Sequence, residues 1–255
     1  MGEALVKGLY KAHKVCVCEA DAKRARVLKN RYGVAVLDLR AALENTDTVV
    51  LAVKPQDMAG LLAGIRRGGQ AGRPHINKLF ISIAAGLTTK FFEAHLGGRP
   101  RVVRAMPNMP ATIGEGITAL CAGKYASAKY LAAAQKVLSS VGKTMIVEEK
   151  RMDAVTAVSG SGPAYVFLFV EQWMAAARAL GFKEAQARAL VYATLAGSAH
   201  LLEKGKLDAA VLRAKVTSKG GTTQAALNVF FKAKSDQVMK KALLAARKRA
   251  QELAK

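Results

Sequence analysis

The first half of the chain alternates short apolar runs with segments whose apolar residues recur every three or four positions. Short apolar runs between Gly, Pro and Asp are typical of strands buried in a parallel sheet, and the second pattern is typical of helices. The predicted strands are 14–18, 33–36, 48–53, 78–84, 101–106, 116–122 and 143–147. The predicted helices between them are 3–13, 22–31, 39–45, 58–66, 88–95 and 126–140, with a Gly-rich loop at 68–77.

The pattern changes after residue 148, where every further segment has helical spacing. The helices predicted there are 152–158, 162–180, 183–203, 208–216, 222–231 and 235–255. Alternating strands and helices followed by helices alone indicate a doubly wound sheet joined to an all-helical domain. We therefore predict a Rossmann-like α/β domain at 1–149 and an all-α domain at 150–255.

The segment 162–180 is apolar almost all the way round its predicted helix. A helix of this kind is buried on every side, which a small helical domain achieves by packing against a second chain. We therefore expect a homodimer formed through the C-terminal helices, with a higher oligomer left open. Glu171, Gln172 and Arg178 interrupt the segment, and no uninterrupted apolar run reaches the roughly 18 residues of a membrane span. No membrane association is expected.

Charge and composition limit the function classes further. The 255 residues include 40 Lys and Arg against 18 Asp and Glu, a net charge of +22, yet 51% are apolar, which excludes a disordered basic tail. The basic residues are scattered without interleaved aromatics, so we expect at most non-specific contact with nucleic acid. Three cysteines and the lack of a signal-peptide pattern predict a cytoplasmic protein.

A metal site is not expected. His13, Cys16 and Cys18 lie close in sequence, but no fourth ligand accompanies them. Small buried cysteines are the simpler interpretation.

The chain begins inside its first predicted helix. A doubly wound nucleotide-binding domain opens instead with a central strand that runs into a G-x-G-x-x-G turn, and Gly2 suits the third glycine of that turn. Three explanations stay open: a start assigned downstream of the true one, a protein that has lost its cofactor loop, or a domain that binds no nucleotide. The first needs the fewest assumptions. Without the turn, weak dinucleotide binding is expected, because its N–H groups hold the pyrophosphate.

Five motifs occur in one order along the chain. They are LAVKPQ (51–56), ISIAAG (81–86), RAMPNMPA (104–111), SGSGPAY (159–165) and VTSKGGTT (216–223). Together they resemble the pyrroline-5-carboxylate reductase family, and the resemblance runs from Met1 to the C-terminus. The departures are the missing first strand and turn, Lys219 for the family's usual Pro, Met109 for Thr, and Leu39 near a frequent Asn.

The resemblance implies the reduction of 1-pyrroline-5-carboxylate to L-proline, the last step of proline biosynthesis, with a hydride from NADPH or NADH. A non-catalytic paralogue that acts as a dimeric or nucleic-acid-associated protein is the alternative. The cofactor would bind where strands end, at the carboxyl edge of the sheet. The predicted cofactor-binding residues are Gly2, Glu19, Ala52, Val53, Lys54, Pro55, Ala84, Ala85, Gly86 and Asn108.

The choice between the two cofactors stays open. Glu19 follows a predicted strand, and an acid there binds the ribose 2′-hydroxyl of NADH. Lys23 and Arg24 lie one turn later and suit the 2′-phosphate of NADPH. For Asn108, a cofactor bond and a loop-orienting role are both compatible with the sequence, as are ordinary turns for the other strand ends.

The substrate carboxylate is expected at the start of the helix predicted from residue 222. Exposed N–H groups at a glycine-rich helix start bind anions, although an ordinary N-cap would also explain the threonines. The resemblance adds a hinge at Ser161 beside the substrate, a small cyclic imino acid. The predicted substrate-binding residues are Ser161, Gly220, Gly221, Thr222 and Thr223, and Thr223 is the predicted catalytic residue. Because an alcohol is a weak acid, Thr223 would hold the ring nitrogen in place, and the proton would come from water or arrive on the substrate.

Overall fold

The computed structural model describes residues 1–68 and 77–253. The chain divides into two compact units, which we call the sheet unit (Met1–Pro163 with Ala245–Lys255) and the helical unit (Ala164–Leu244). The Gly-rich loop predicted at 68–77 and the last two residues of the helix predicted at 235–255 lie essentially outside the described residues.

The sheet unit alternates strands and helices as the sequence pattern predicts. Its strands are β1 (Cys16–Val17), β2 (Ala35–Val36), β3 (Thr48–Leu51), β4 (Leu79–Ser82), β5 (Arg101–Met106), β6 (Gly116–Ala122) and β7 (Gly142–Ile146). Its helices are α1 (Gly2–Leu9), α2 (Ala22–Tyr32), α3 (Leu39–Glu44), α4 (Pro55–Arg67), α5 (Thr89–Leu96) and α6 (Ala128–Leu138). A 3₁₀ turn at Met109–Ile113, which the sequence analysis missed, joins β5 to β6.

The strands form two sheets. β1 pairs with β2 in parallel, and β3, β4, β5, β6 and β7 follow one another in a second sheet that is parallel except between β5 and β6. Helix α1 packs on both: Val6 joins the cluster around Leu28 and Val34, whereas Leu5 and Leu9 join the cluster of the larger sheet. One more strand between β1 and β3 would give the doubly wound order in which the first strand is central.

The larger sheet has helices on both faces, and β4 shows how side chains are divided between them. Leu79 and Ile81 pack in one cluster with residues of α1 and α6, while Phe80 between them packs in another with residues of α4 and α5. This alternation follows from the two-residue period of a strand. All four residues of β4 are buried, as expected for a strand inside a parallel sheet.

The strands β3 and β4 each end two residues earlier than predicted. β3 ends at Leu51 and not at residue 53, because Lys54 is already the N-cap of α4 and Pro55 its first residue. Proline suits that position, since its fixed φ matches a helix and its missing N–H has no intrahelical partner to lose. β4 ends at Ser82, whose hydroxyl accepts a hydrogen bond from the Ala84 N–H at 3.2 Å.

Helices follow β7 to the end of the described chain. A 3₁₀ turn (Glu149–Arg151) leads into α7 (Met152–Val155), a π-helical turn (Thr156–Gly160) and α8 (Gly162–Ala179). The remaining helices are α9 (Glu184–Lys204), α10 (Ala209–Lys215), α11 (Thr222–Lys232) and α12 (Ser235–Leu253). The helical character thus starts at Glu149, whereas the compact units divide after Pro163.

The middle of α8 is poorly covered within one chain. Met174 and Ala177 are buried against α9, but Phe167 and Phe169 are 51% and 44% exposed. The run Glu149–Ala179 is long and apolar enough to cross a membrane by length and composition alone. It is the one such run among the described residues, and it is weak evidence, because the core helix of a soluble protein and a signal sequence pass the same test.

Candidate active site

Two of the turns predicted to bind the cofactor lie at the carboxyl ends of β3 and β4. Ala52, Val53 and Lys54 follow β3 and are exposed. After β4, Ala84 is buried, Ala85 is exposed and Gly86 has a φ of 81°, a conformation that favours glycine. Because β3 and β4 are parallel neighbours, both turns lie at one edge of the sheet, where doubly wound folds bind their ligands.

Gly2 lies beside the first of these turns. A Cβ atom placed on Gly2 would lie 3.3 Å from the Cβ of Ala52, so a larger residue would push α1 away from the end of β3. This close approach fits the third glycine of a dinucleotide fingerprint. The first bond inside α1 runs from the Leu5 N–H to the Met1 carbonyl at 3.2 Å, so the N–H groups of the three residues from Gly2 have no intrahelical partner. The positive end of a helix therefore meets the sheet edge, as a pyrophosphate requires.

The two opposing signals for cofactor choice lie side by side. Arg24 places its Nε 3.5 Å from Oε2 of Glu19, and its Nη2 lies 3.9 Å from Oε2 of Glu3. Oε1 of Glu19 also accepts a hydrogen bond from the Asp21 N–H at 3.2 Å. The carboxylate that would bind a ribose hydroxyl thus has a half-exposed arginine next to it. The geometry leaves the choice between NADH and NADPH open.

Asn108 has a loop-orienting contact. Its Oδ1 accepts a hydrogen bond from the N–H of Ile117 at 2.9 Å, which ties the end of β5 to the beginning of β6 across the 3₁₀ turn. The sequence allows a cofactor bond or a loop-orienting role for Asn108, and this bond provides the loop-orienting role. The other amide atom, Nδ2, remains for a contact with a cofactor.

The hinge motif packs against the end of β5. A Cβ on Gly160 would lie 2.7 Å from Cε of Met106, so the backbone approaches that side chain closely. The Ser161 N–H donates to the Thr156 carbonyl at 2.8 Å, a bond across five residues that defines the π-helical turn. The helical spacing of residues 152–158 predicts an ordinary helix there, but α7 ends at Val155 and this turn follows it. Ser161 is half-buried, and it lies in the sheet unit together with the strand ends.

Helix α11 begins at Thr222, as predicted, and its N-cap is Gly221. No side chain caps this end, so an ordinary threonine N-cap does not explain the motif. The Ala225 N–H donates to the Gly221 carbonyl at 3.1 Å, which leaves the N–H groups of Thr222, Thr223 and the following residue without intrahelical partners. These groups form an anion-binding helix start inside the helical unit.

The two glycines before α11 have different roles. Gly220 has a φ of 74°, which favours glycine, whereas Gly221 has a φ of −79° that any residue adopts. At Gly221 the restriction is one of space, because a Cβ would contact Oγ of Ser218. Thr222 is exposed, and Thr223 is half-buried.

The sheet unit also contains a buried ion cluster that the sequence pattern does not reveal. Arg104 on β5 is 4% exposed, and its two terminal nitrogens each lie 3.5 Å from a carboxylate oxygen, one of Glu149 and one of Asp153. Glu149 in turn accepts hydrogen bonds from the N–H and the hydroxyl of Thr89, both at 2.7 Å. The available signal was Arg104 in the interior of the apolar strand RVVRAM, since a buried charge needs a partner.

Comparisons with known proteins decide the family. The protein named pyrroline-5-carboxylate reductase from Mycobacterium leprae is 37% identical over 274 residues, which cover 99% of this chain and 93% of the relative. The chain belongs to the pyrroline-5-carboxylate reductase family. The protein of that name from Haemophilus influenzae is also 37% identical, over 99% of this chain and 94% of its own length.

Domain and structure comparisons agree with this family. The model described as pyrroline-5-carboxylate reductase dimerisation matches residues 149–253, and the one described as NADP oxidoreductase coenzyme F420-dependent matches residues 1–86. A pyrroline-5-carboxylate reductase from Coxiella burnetii has a TM-score of 0.90 at 33% identity, covering 100% of this chain and 95% of its own. The Plasmodium falciparum pyrroline carboxylate reductase with NADP bound has a TM-score of 0.86 at 27% identity, with the same coverage.

These findings confirm the predicted family and the predicted fold, a Rossmann-like sheet followed by helices. They give no support to the non-catalytic alternative.

Proposed function

We propose that the protein reduces 1-pyrroline-5-carboxylate to L-proline with NADPH or NADH. The observation that carries this proposal is the 37% identity to reductases of that name across 99% of the chain. The cofactor, when bound, supplies the hydride that saturates the C=N bond. The protein then has to bind the cofactor and the substrate, orient them toward each other and place charged groups around them.

The sheet unit would hold the cofactor. The start of α1 at Gly2 is proposed for the pyrophosphate, and Glu19 with its neighbour Arg24 for the adenosine ribose. The turns Ala52–Pro55 and Ala84–Gly86, with Asn108, would hold the nicotinamide. Support comes from the close approach of Gly2 to Ala52 and from the shared edge at which both turns lie.

The helical unit would hold the substrate carboxylate. The unpartnered N–H groups at the start of α11 present positive charge, and Gly220 and Gly221 keep the approach free of side chains. We propose that the Thr223 hydroxyl donates to or accepts from the ring nitrogen and fixes its position, and that Ser161 lies beside the substrate. The proton on the nitrogen would come from water or with the substrate, because a threonine hydroxyl is too weak an acid.

We further propose a homodimer formed through the C-terminal helices. The match of residues 149–253 to a dimerisation model and the exposed aromatic residues of α8 support it. The proposal extends to a cytoplasmic location, in keeping with three free cysteines, and to non-specific contact with nucleic acid at most.

The open edges of β1 and β3 support a further proposal, that one more strand belongs between them. Thr48, Val49 and Val50 of β3 are only half-buried, in contrast to β4. An added apolar strand ending in a G-x-G turn should tighten NADPH binding, measured by nucleotide fluorescence. The same strand with valines in place of the glycines is the control, and equal affinities for the two would contradict the proposal.

The anion site is tested by two substitutions and one control. Gly221→Val is expected to abolish imine reduction, because its backbone angles tolerate valine while the side chain displaces Oγ of Ser218 and blocks the anion. Thr223→Ala should keep the backbone site and lose about 1–3 kcal/mol of transition-state stabilisation in kcat/KM. Gly60→Val on α4 adds the same side chain in open space and should leave the rate unchanged. Unchanged reduction by both α11 variants would refute the assignment, and unchanged NADPH affinity in all three is expected.

A further inference from the structure

Three elements of the sheet unit meet at one buried arginine. Arg104 comes from β5, Glu149 from the 3₁₀ turn after β7, and Asp153 from α7. Glu149 extends the cluster to the start of α5, where it accepts the Thr89 N–H and hydroxyl at 2.7 Å. Thr89 is the first residue of α5, so the carboxylate also lies at the positive end of that helix.

The cluster is chemically specific. The guanidinium of Arg104 is almost completely removed from water, and each of its terminal nitrogens faces a different carboxylate at 3.5 Å. A planar fork with two separated donors is a property of arginine and not of lysine. Removing one partner leaves a buried charge only half compensated, which is costly.

Each residue of the cluster is connected along the chain to a part of the proposed active site. Arg104 lies two residues before Met106, whose side chain packs on Gly160 in the π-helical turn. Thr89 lies three residues after Gly86, where the nicotinamide turn ends, and Asp153 is the second residue of α7, which leads through the π-helical turn to Ser161. The cluster therefore links the nicotinamide turn, the end of β5 and the hinge.

We propose that Arg104, Glu149 and Asp153 form a positioning network for hydride transfer. By fixing the start of α5 and the start of α7 to the same strand, the network holds the nicotinamide turn and the hinge in a fixed position relative to each other. This inference rests on the proposed function, since the relative position of those segments matters only if both contact reactants. Small displacements of such segments lower turnover without loss of binding.

The kinetic test is Glu149→Gln, which keeps the size of the side chain and an acceptor for the Thr89 N–H but removes the charge. We expect kcat to fall about tenfold while KM for NADPH and for the imine stays within about twofold. The matched control is Glu44→Gln, which neutralises the exposed Arg40–Glu44 pair of α3 and should leave kcat unchanged. Thr89→Ser should retain the rate and Thr89→Val should lose it, because only serine keeps the hydroxyl.

A second measurement needs no turnover. Amide hydrogen exchange of the unliganded protein should rise in Glu149→Gln over residues 84–92 and over 156–163 together, and in neither segment for Glu44→Gln. A rise in one segment alone, or in neither, would overturn the proposal, as would a lowered Tm with unchanged kcat. If the unmodified protein reduces no imine, the proposed function fails, and hydrogen exchange still decides whether the network links the two segments.

Discussion

The two units contain similarly apolar segments and bury them to different extents. In the sheet unit, the four residues of β4 are all buried between helices of the same chain. In the described part of the helical unit, the buried apolar residues are Met174, Ala177, Ala187 and Val191. Large side chains of α8 and α11 stay in contact with water, including Phe167, Phe169, Phe230 and Phe231.

This difference in burial shows where each unit completes its apolar core. Exposed apolar patches of this extent mark surfaces that bind another protein. A sheet can bury both faces under helices that follow its own strands, whereas α8 is apolar around most of its circumference and needs neighbours on all sides. Around β4 the sheet unit thus closes a core with its own helices, whereas the helical unit completes its core with a second chain in the proposed dimer.

The largest effect is expected from a charge in the exposed aromatic surface. Phe169→Asp should give monomers or aggregates, because a carboxylate buried without a partner in the interface costs several kcal/mol. Val27→Asp is the matched control, since Val27 of α2 is similarly exposed, at 46%, but belongs to the sheet unit. Light scattering should report a changed mass for the first variant only. A dimer mass for Phe169→Asp, or a changed mass for Val27→Asp, would contradict the proposal that only the helical unit completes its core with a second chain.

A cavity in the sheet unit should have a smaller effect that dilution does not alter. Phe92 of α5 is fully buried, so Phe92→Ala should lower the free energy of unfolding by about 3–5 kcal/mol. The loss should be equal at low and high protein concentration, because the cluster around Phe92 lies within one chain. Phe169→Ala should instead destabilise only where the dimer is populated. Urea unfolding at several concentrations separates the two, and a concentration-dependent loss for Phe92→Ala would contradict this division.

The sequence predicts elements well where their pattern is local. β5 and β6 have the bounds predicted for them, since each is a single apolar run between turn residues. The start of α11 at Thr222 follows from two glycines, which end one segment and free the N–H groups of the next. These features depend on neighbours in sequence, so a single chain reveals them.

Features that depend on distant neighbours were missed. The π-helical turn brings Gly160 against Met106, more than fifty residues away, and nothing in residues 156–160 alone distinguishes it from an α-helix. Glu149 reads as a surface acid after β7, and its role appears only when α5 presents Thr89 to it. Packing, and not propensity, determines these details.

The smallest expected effect is a pH dependence that belongs to the sheet unit, where all three cysteines lie. Cys121 on β6 is 3% exposed, and burial raises the pKa of its thiol from 9.0 to about 12, with Glu149 adding to the rise and Arg104 opposing it.

Below about pH 9 the Cys121 thiol is neutral in both the folded and the unfolded protein, so it does not change the free energy of unfolding. Above that pH the unfolded thiol ionises while the folded one does not, so the free energy of unfolding should fall as the pH approaches about 12. Cys121→Ala should make the decline between about pH 8 and pH 10 shallower, and urea titrations at the two pH values measure it. Cys18→Ala is the control, because Cys18 is exposed, contrary to the buried cysteine expected from the sequence. Its thiol pKa is raised mainly by partial burial and then by Asp38. An equal change of slope in both variants would show that burial of Cys121 is not the cause.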